Sequence, residues 1–245
     1  MIRLLHPDVP PDATTLTIEG SAHHYLTRVL RLRAGDALEL FDGRGSAWDA
    51  RVDAIDVDAA RATLSLGPVR TLPPAPAVTL LQGLPKGDKL ELVLQKATEL
   101  GATCVWPVQC KRSVVQLSGE RANKRAERWR RIVEEAARQC RRADVPEVPE
   151  PVDLLAAVAR LPEDTQVLVL DEEESSVRLG VALAEHAHAP IALVVGPEGG
   201  LSREEVAALT ARGASTVSLG PRILRTETAG LAALSVLQFL RGQLG

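Results

Sequence analysis

Ile191-Ala192-Leu193-Val194-Val195-Gly196-Pro197-Glu198-Gly199-Gly200-Leu201-Ser202 is the stretch on which the fold turns. Its first five residues are apolar without alternation. A strand of that kind is covered on both faces, as in a parallel sheet flanked by helices. Gly196, Gly199 and Gly200 let backbone approach a ligand closely at the strand's carboxyl end, where open α/β sheets bind their ligands. Ser202 with Glu205 makes a capping box for the next helix. The pattern is neither GxGxxG nor GxxxxGK[ST], so it fits neither the dinucleotide fingerprint nor the P-loop. A Gly-rich turn is also an ordinary way to join a strand to a helix, so alone it proves no ligand.

Downstream, Leu219-Gly220-Pro221-Arg222-Ile223-Leu224-Arg225-Thr226-Glu227-Thr228-Ala229 leaves another strand and enters the last helix, with Thr226 as its expected cap. Two arginines and a glutamate crowd this loop at the same edge of the sheet. A solvated charged loop is the bland alternative.

Strands and helices alternate around these loops. The pattern predicts strands at 78–82, 105–108, 166–170, 191–195 and 216–219, and helices at 86–100, 120–142, 177–187, 203–211 and 226–240. Gly101 stops the helix before it. In the long basic helix, Trp129, Val133, Ala136 and Cys140 form the apolar stripe.

Before residue 73 the rhythm differs. Short strands are expected at 16–18, 37–41, 47–52 and 62–66, with Asp42-Gly43-Arg44-Gly45 as a hairpin loop. One helix is expected at 24–32, with Tyr25, Val29 and Leu32 on one stripe and Ser21 as the N-cap upstream. This reads as a small barrel. Leu72-Pro73-Pro74-Ala75-Pro76 is stiff and extended and marks the boundary between a domain at 1–72 and one at 73–245.

Composition excludes several classes. No run of 18 apolar residues exists, so no transmembrane helix is expected. The opening MIRLLHPDVPPD lacks a signal peptide's apolar stretch. Cys104, Cys110 and Cys140 contain no CxxC pair, which suits a reducing cytoplasm and argues against a disulfide framework or zinc site. The five histidines form no HExxH motif, so no metal is expected. A net charge of −3 argues against a wholly basic surface. Residues 111–142 nonetheless hold 11 basic and 4 acidic residues, and 143–190 hold 2 and 11. The basic block is enough to hold phosphates, although a charged helix face is usually just solvated. With only six aromatic residues, stacking is not how a nucleic acid would be held.

Taken together, GPEGGLS and LGPRILRTETA resemble the signature of the 16S ribosomal RNA uridine-N3 methyltransferases, of the trefoil-knotted SPOUT class. Gln95-Lys96-Ala97-Thr98-Glu99-Leu100-Gly101, Arg112-Ser113-Val114-Val115, Glu135-Ala136-Ala137-Arg138-Gln139 and His24-Tyr25-Leu26 with Val29-Leu30-Arg31 and Gly35-Asp36 support it. Arg3-Leu4-Leu5 departs from it where the family tends to have an aromatic.

The resemblance implies an α/β fold, a SPOUT-type knotted parallel sheet flanked by helices, preceded by a PUA-like β-barrel that binds RNA. It implies a homodimer that uses S-adenosyl-L-methionine to methylate N3 of uridine 1498 in the 16S RNA of the small ribosomal subunit. The implied cofactor loops are Leu170, the run Gly196-Pro197-Glu198-Gly199-Gly200, and Leu219, Gly220, Ile223, Leu224, Arg225 and Thr228. Leu219, Ile223 and Leu224 suit an apolar sandwich for adenine. Uridine N3 carries a proton at neutral pH, so the reaction needs a base or a field favouring the anion. Arg225 is the expected stabiliser, and Glu198 or Glu227 the base or orienter. Arg28, Arg31, Arg112, Arg128, Arg131 and Arg138 are the expected RNA contacts. A SPOUT enzyme with another RNA target, or a noncatalytic RNA-binding protein with a degenerate knot, are the alternatives; the intact loops argue against degeneracy.

Overall fold

The computed structural model describes residues 1–73, 75–117 and 119–245. Pro74, in the expected linker, lies outside the described residues. The chain forms two compact units, one of residues 1–74 with 137–145, the other of 75–136 with 146–245.

In the first unit, β1 (Arg3–Leu5), β2 (Thr15–Ile18), β3 (Ala37–Phe41), β4 (Ser46–Asp56), β5 (Arg61–Leu66) and β6 (Arg70–Thr71) form one sheet. The order is β1-β3-β4-β5-β2, with β6 also on β4. β1 runs parallel to β3 and the other pairs are antiparallel. At the β3–β4 turn Gly43 and Gly45 take φ of 75° and 108°, and Asp42 Oδ1 accepts from the Arg44 and Ser46 amides. Alternation along the strands sends Leu38, Leu40, Trp48, Val52 and Leu64 into one core.

The expected helix at 24–32 is corrected by the structure. α1 (Gly20–His24) runs straight into a π-helical turn, Tyr25–Val29. There the Leu30 amide bonds back five residues to the Tyr25 carbonyl at 2.9 Å. The wider turn shifts the buried face: Leu26 is fully buried while Val29 is 57% exposed. Ser21 is not the N-cap either. Gly20 turns the chain with φ of 59°, so the helix begins two residues early and Glu19 caps it without a side-chain bond.

Residues 137–145 return to this unit, which the linear reading of domains did not foresee. Arg3 Nη1 donates to the carbonyls of Ala137 and Arg142, each at 3.0 Å, and its guanidinium lies 4.3 Å over the Phe41 ring. The Val145 amide donates to Gly43 at 2.8 Å, and Ala143 packs on Phe41 and Ala47.

The second unit contains β7 (Val78–Gly83), α2 (Lys89–Glu99), β8 (Cys104–Gln109), α3 (Gly119–Cys140, whose end belongs to the first unit), β9 (Val152–Asp153), α4 (Leu154–Val158), β10 (Gln166–Leu170), α5 (Leu179–His186), β11 (Ile191–Val195), α6 (Arg203–Thr210), β12 (Ser215–Val217) and α7 (Thr226–Leu240). The strands pair in the order β12-β10-β11-β7-β8-β9, all parallel. After β9 the chain crosses to β10, and β11 then inserts between β10 and β7. The carboxyl ends of β7, β10, β11 and β12 thus sit together where the order reverses, which positions a ligand site. Every residue of β7 and β11 is buried.

Several expected boundaries shift. The helix expected from residue 86 starts at Lys89, because Gly87 takes φ of 64°. α5 starts at Leu179, not 177. The strand expected to reach Leu219 ends at Val217, and the Ser218 amide turns to the Val177 carbonyl at 2.8 Å. Thr226 is the first helical residue, not the cap. Arg225 holds the cap position and makes no side-chain bond there.

Candidate cofactor and nucleotide site

The loop after β11 is fixed by close backbone approach. A Cβ on Gly196 would stand 2.8 Å from the Gly200 carbonyl carbon, and one on Gly83 would stand 2.6 Å from the Pro197 nitrogen. Neither position tolerates a side chain without moving backbone. The Gly200 amide bonds to the Pro197 carbonyl at 2.9 Å, and Gly200 takes φ of 69°. Beyond it the capping box forms in both directions: the Ser202 amide donates to Glu205 at 2.8 Å and the Glu205 amide to Ser202 Oγ at 3.2 Å.

A buried polar link joins this loop to α7. Thr226 Oγ1 donates to the Gly196 carbonyl at 2.6 Å and accepts from Gln82 Nε2 at 2.8 Å. The end of β7, the loop after β11 and the start of α7 are therefore tied through one hydroxyl.

Around these strand ends lies a cavity of about 670 Å³. Of the twelve residues expected at a cofactor, ten line it: Leu170, Gly196, Pro197, Glu198, Gly200, Leu219, Gly220, Ile223, Leu224 and Arg225. Gly199 and Thr228 do not line it. Gly199 instead lies under Arg112, whose Nη1 donates to its carbonyl at 3.0 Å. Thr228 stands exposed on the first turn of α7.

The proposed chemistry residues are in unequal settings. Arg225 has a side chain 83% exposed, 4.0 Å from Glu227. Glu227 is 15% exposed, and its Oε2 is buried with no hydrogen-bond partner. Glu198 accepts from the Lys86 amide at 3.1 Å and from Lys89 Nζ at 2.8 Å. Partial burial works to raise the Glu198 carboxyl, but these hydrogen bonds and the Lys89 charge outweigh it and hold it below the usual carboxylate range. Lys89, which sequence reading missed, is raised in turn by its bond to Glu198.

The far wall carries a second set of charges that the sequence did not single out. Arg203 grips Asp171 through two bonds of 2.8 Å, holding that carboxyl low. Glu174 accepts from the Ser176 and Thr216 hydroxyls and from the Ser176 and Val177 amides, and its carboxyl falls to about 2. The run Asp171-Glu172-Glu173-Glu174 was legible as acidic, but its use in folding a loop was not.

The six arginines expected at RNA divide between the units. Arg28 and Arg31 are exposed on the first unit. Arg138 also belongs to that unit, where its guanidinium lies 4.8 Å from the Tyr25 ring centre and donates to Tyr25 Oη at 3.1 Å. Arg112, Arg128 and Arg131 are exposed on the second unit, and Arg128 pairs with Glu91 at 2.7 Å. Trp129, Val133 and Ala136 are buried along α3, which leaves the arginines on its outer side. Among the described residues no group of three His, Cys, Asp or Glu side chains is placed to hold a metal ion. None of the described helices is long and apolar enough to cross a membrane.

Comparison with known proteins supplies the context. Residues 73–238 match the profile of an RNA methyltransferase domain, and residues 18–65 that of an RNA methyltransferase PUA domain. The ribosomal RNA small subunit methyltransferase E of Bacillus subtilis is 36% identical, over 93% of this chain and 91% of its own length. This chain belongs to the ribosomal RNA small subunit methyltransferase E family. The family member of Mycobacterium tuberculosis is 37% identical over 97% of this chain and 91% of its own. The crystal structure of the Neisseria gonorrhoeae family member, bound to S-adenosyl methionine, aligns with a TM-score of 0.86 and 33% identity over 98% of both chains. A Legionella pneumophila methyltransferase in complex with the same cofactor aligns with a TM-score of 0.81 and 30% identity, over 97% of both chains.

Proposed function

We propose that this chain binds S-adenosyl-L-methionine in the 670 Å³ cavity and methylates N3 of uridine 1498 in 16S ribosomal RNA. The observation that carries this reading is the cavity itself, built from the two motif loops at the carboxyl ends of parallel strands. The residues fit the cofactor. Gly196 lets the loop fold tightly back on Gly200 beside the cavity, and Leu219, Ile223 and Leu224 offer apolar surface to a purine. Leu170, Pro197, Gly200 and Gly220 complete the lining; Gly199 and Thr228 act only through their neighbours.

The cofactor supplies a methyl group activated on a sulfonium. Arg225 stabilises negative charge on a uracil oxygen. Glu198 and Glu227 orient the reacting groups, and the site gains rate chiefly from holding nucleophile and methyl in line. Arg28 and Arg31 in the PUA domain and Arg128 and Arg131 on α3 meet RNA phosphates. Double charge reversal at Arg128 and Arg131 weakens RNA binding and flattens its salt dependence; an unchanged slope refutes that contact.

The same reading includes a trefoil knot near α7, a homodimer and a cytoplasmic place of work. The resemblance of the sequence supports all three, and the insertion of β11 between β10 and β7 bears on the knot alone. The decisive experiment is methyl transfer to small ribosomal subunits lacking the modification, with the product mapped by mass spectrometry. Methyl on N3 of the uridine is expected; label on cytosine or ribose overturns the reading. Calorimetry with S-adenosyl-L-methionine tests the noncatalytic alternative, which requires no binding.

A further inference from the structure

Lys89 stands at the first position of α2, after Asp88, and read from sequence it is one more polar residue at a helix start. In the fold it meets both carboxylates of the motif loops. Its Nζ lies 2.8 Å from Glu198 Oε1 and 3.4 Å from Glu227 Oε2, and it lines the cavity itself. Glu198 comes from the loop after β11, and Glu227 from the first turn of α7. One ammonium thus bridges three elements that close the site.

The two carboxylates depend on it unequally. Glu198 has a second donor, the Lys86 amide. Glu227 Oε2 is buried and accepts no hydrogen bond, so Lys89 is the cation that offsets it. Arg225 is farther, at 4.0 Å from the other oxygen, and sits in water. The other charged groups lining the cavity are Asp171, Glu172, Glu174, Arg178, Arg203 and Arg222. Asp171 is already matched to Arg203, and Glu174 to hydroxyls and amides of its own loop. An anion beside an ammonium is a weak base, whereas N3 of uridine holds its proton firmly at neutral pH.

We propose that Lys89 is a positioning residue of the transfer site, clamping Glu198 and Glu227 as a fixed pair of anions that orient the reacting groups, neither of them serving as the base for uridine N3. The inference rests on the uridine-N3 reading above. The N3 proton goes to a solvent base. The bond from N3 to the methyl carbon forms as the carbon–sulfur bond breaks, and sulfur keeps the electron pair.

The test compares methyl transfer by wild type, Lys89→Met and Lys89→Arg across pH. Without the ammonium, Glu198 loses its main hydrogen-bond partner and faces a second carboxylate, so it takes up a proton at higher pH than in wild type. Activity is then lost on the acid side and regained as pH rises. The wild-type to Lys89→Met ratio of kcat should be about tenfold near pH 5 and shrink to about threefold near pH 8.5, since protonation by like-charge repulsion reverses with pH. KM for the ribosomal subunit should stay unchanged, and Lys89→Arg should recover most of the rate. A ratio that is constant with pH, or a Lys89→Arg enzyme as poor as Lys89→Met, overturns the proposal. Should Lys89→Met fail to fold by circular dichroism, Lys89→Gln carries the same comparison. If wild type places no methyl on uridine N3, the functional reading fails. If it does and Lys89→Met matches it at every pH, the Lys89 role alone fails.

Discussion

The loop after β11 and the loop before α7 line one cavity, yet they are held by different means. The first is closed by backbone: Gly196 and Gly83 leave no room for a Cβ, Ser202 and Glu205 cap the next helix, and Glu198 is bonded by Lys86 and Lys89. The second lies open. Ile223 is 79% exposed, Arg225 stands in water, and a Cβ on Gly220 would meet nothing within 4 Å. The rigid loop keeps its form by its own contacts. The open loop offers apolar and cationic side chains whose burial is left to what binds there. Preorganisation is thus concentrated where the backbone must fit, and adaptability where side chains must.

Gly196→Ala attacks the rigid side and should have the largest effect. Its methyl collides with backbone at 2.8 Å, so a cost of about 3 kcal/mol and loss of cofactor binding are expected, read by thermal melting and calorimetry. Gly220→Ala, by contrast, has only the strain of φ at 106° to bear, about 1 kcal/mol. Equal costs at the two glycines would erase the distinction between the loops.

Arg225→Ala attacks the open side. Single-turnover methyl transfer should fall about a hundredfold, the scale of losing one stabiliser of developing charge, while the melting temperature holds. Near wild-type transfer would remove Arg225 from the mechanism. Thr226→Val cuts the link between the loops, leaving Gln82 Nε2 and the Gly196 carbonyl without their shared hydroxyl. A loss of about 2 kcal/mol in stability is expected, measured by denaturant unfolding.

The smallest effect concerns acid. Asp171 is lowered first by its bonds to Arg203, so its contribution is present above the ordinary carboxyl range and fades as pH falls through its folded value. The wild type should melt higher than Asp171→Asn at neutral pH, by less than about 1 kcal/mol because Arg203 is partly in water. The gap should close below about pH 4, and a gap unchanged at low pH would contradict the pairing.

Much of this architecture was legible because it is local. Unbroken apolar runs gave the parallel strands, and Ser202 with Glu205 gave a cap found in both directions. Both motif loops were readable as ligand loops, and nine of their eleven nominated residues line one cavity, with Leu170 from the end of β10. What stayed hidden depends on distant partners. Lys89 acquires its meaning from a carboxylate 109 residues away. Arg138 looked like a phosphate ligand, and no spacing rule shows that Tyr25, 113 residues earlier, lies under it. The π-turn at Tyr25–Val29 buries Leu26 in place of Val29, an exchange that a period of about 3.6 residues cannot register. Short elements such as β9 and α4 are too brief to carry a period.

The hydroxyl of Thr226 has a consequence in time. It joins Gln82, 144 residues earlier, to the carbonyl of Gly196. Contacts so far apart in sequence form late, because the intervening loop entropy must be met first. During synthesis the earlier strands emerge and can collapse while α7 is still unmade. The chain therefore acquires its ligand pocket as one of its final acts of folding, and a growing polypeptide cannot take up the cofactor before the last helix has been translated.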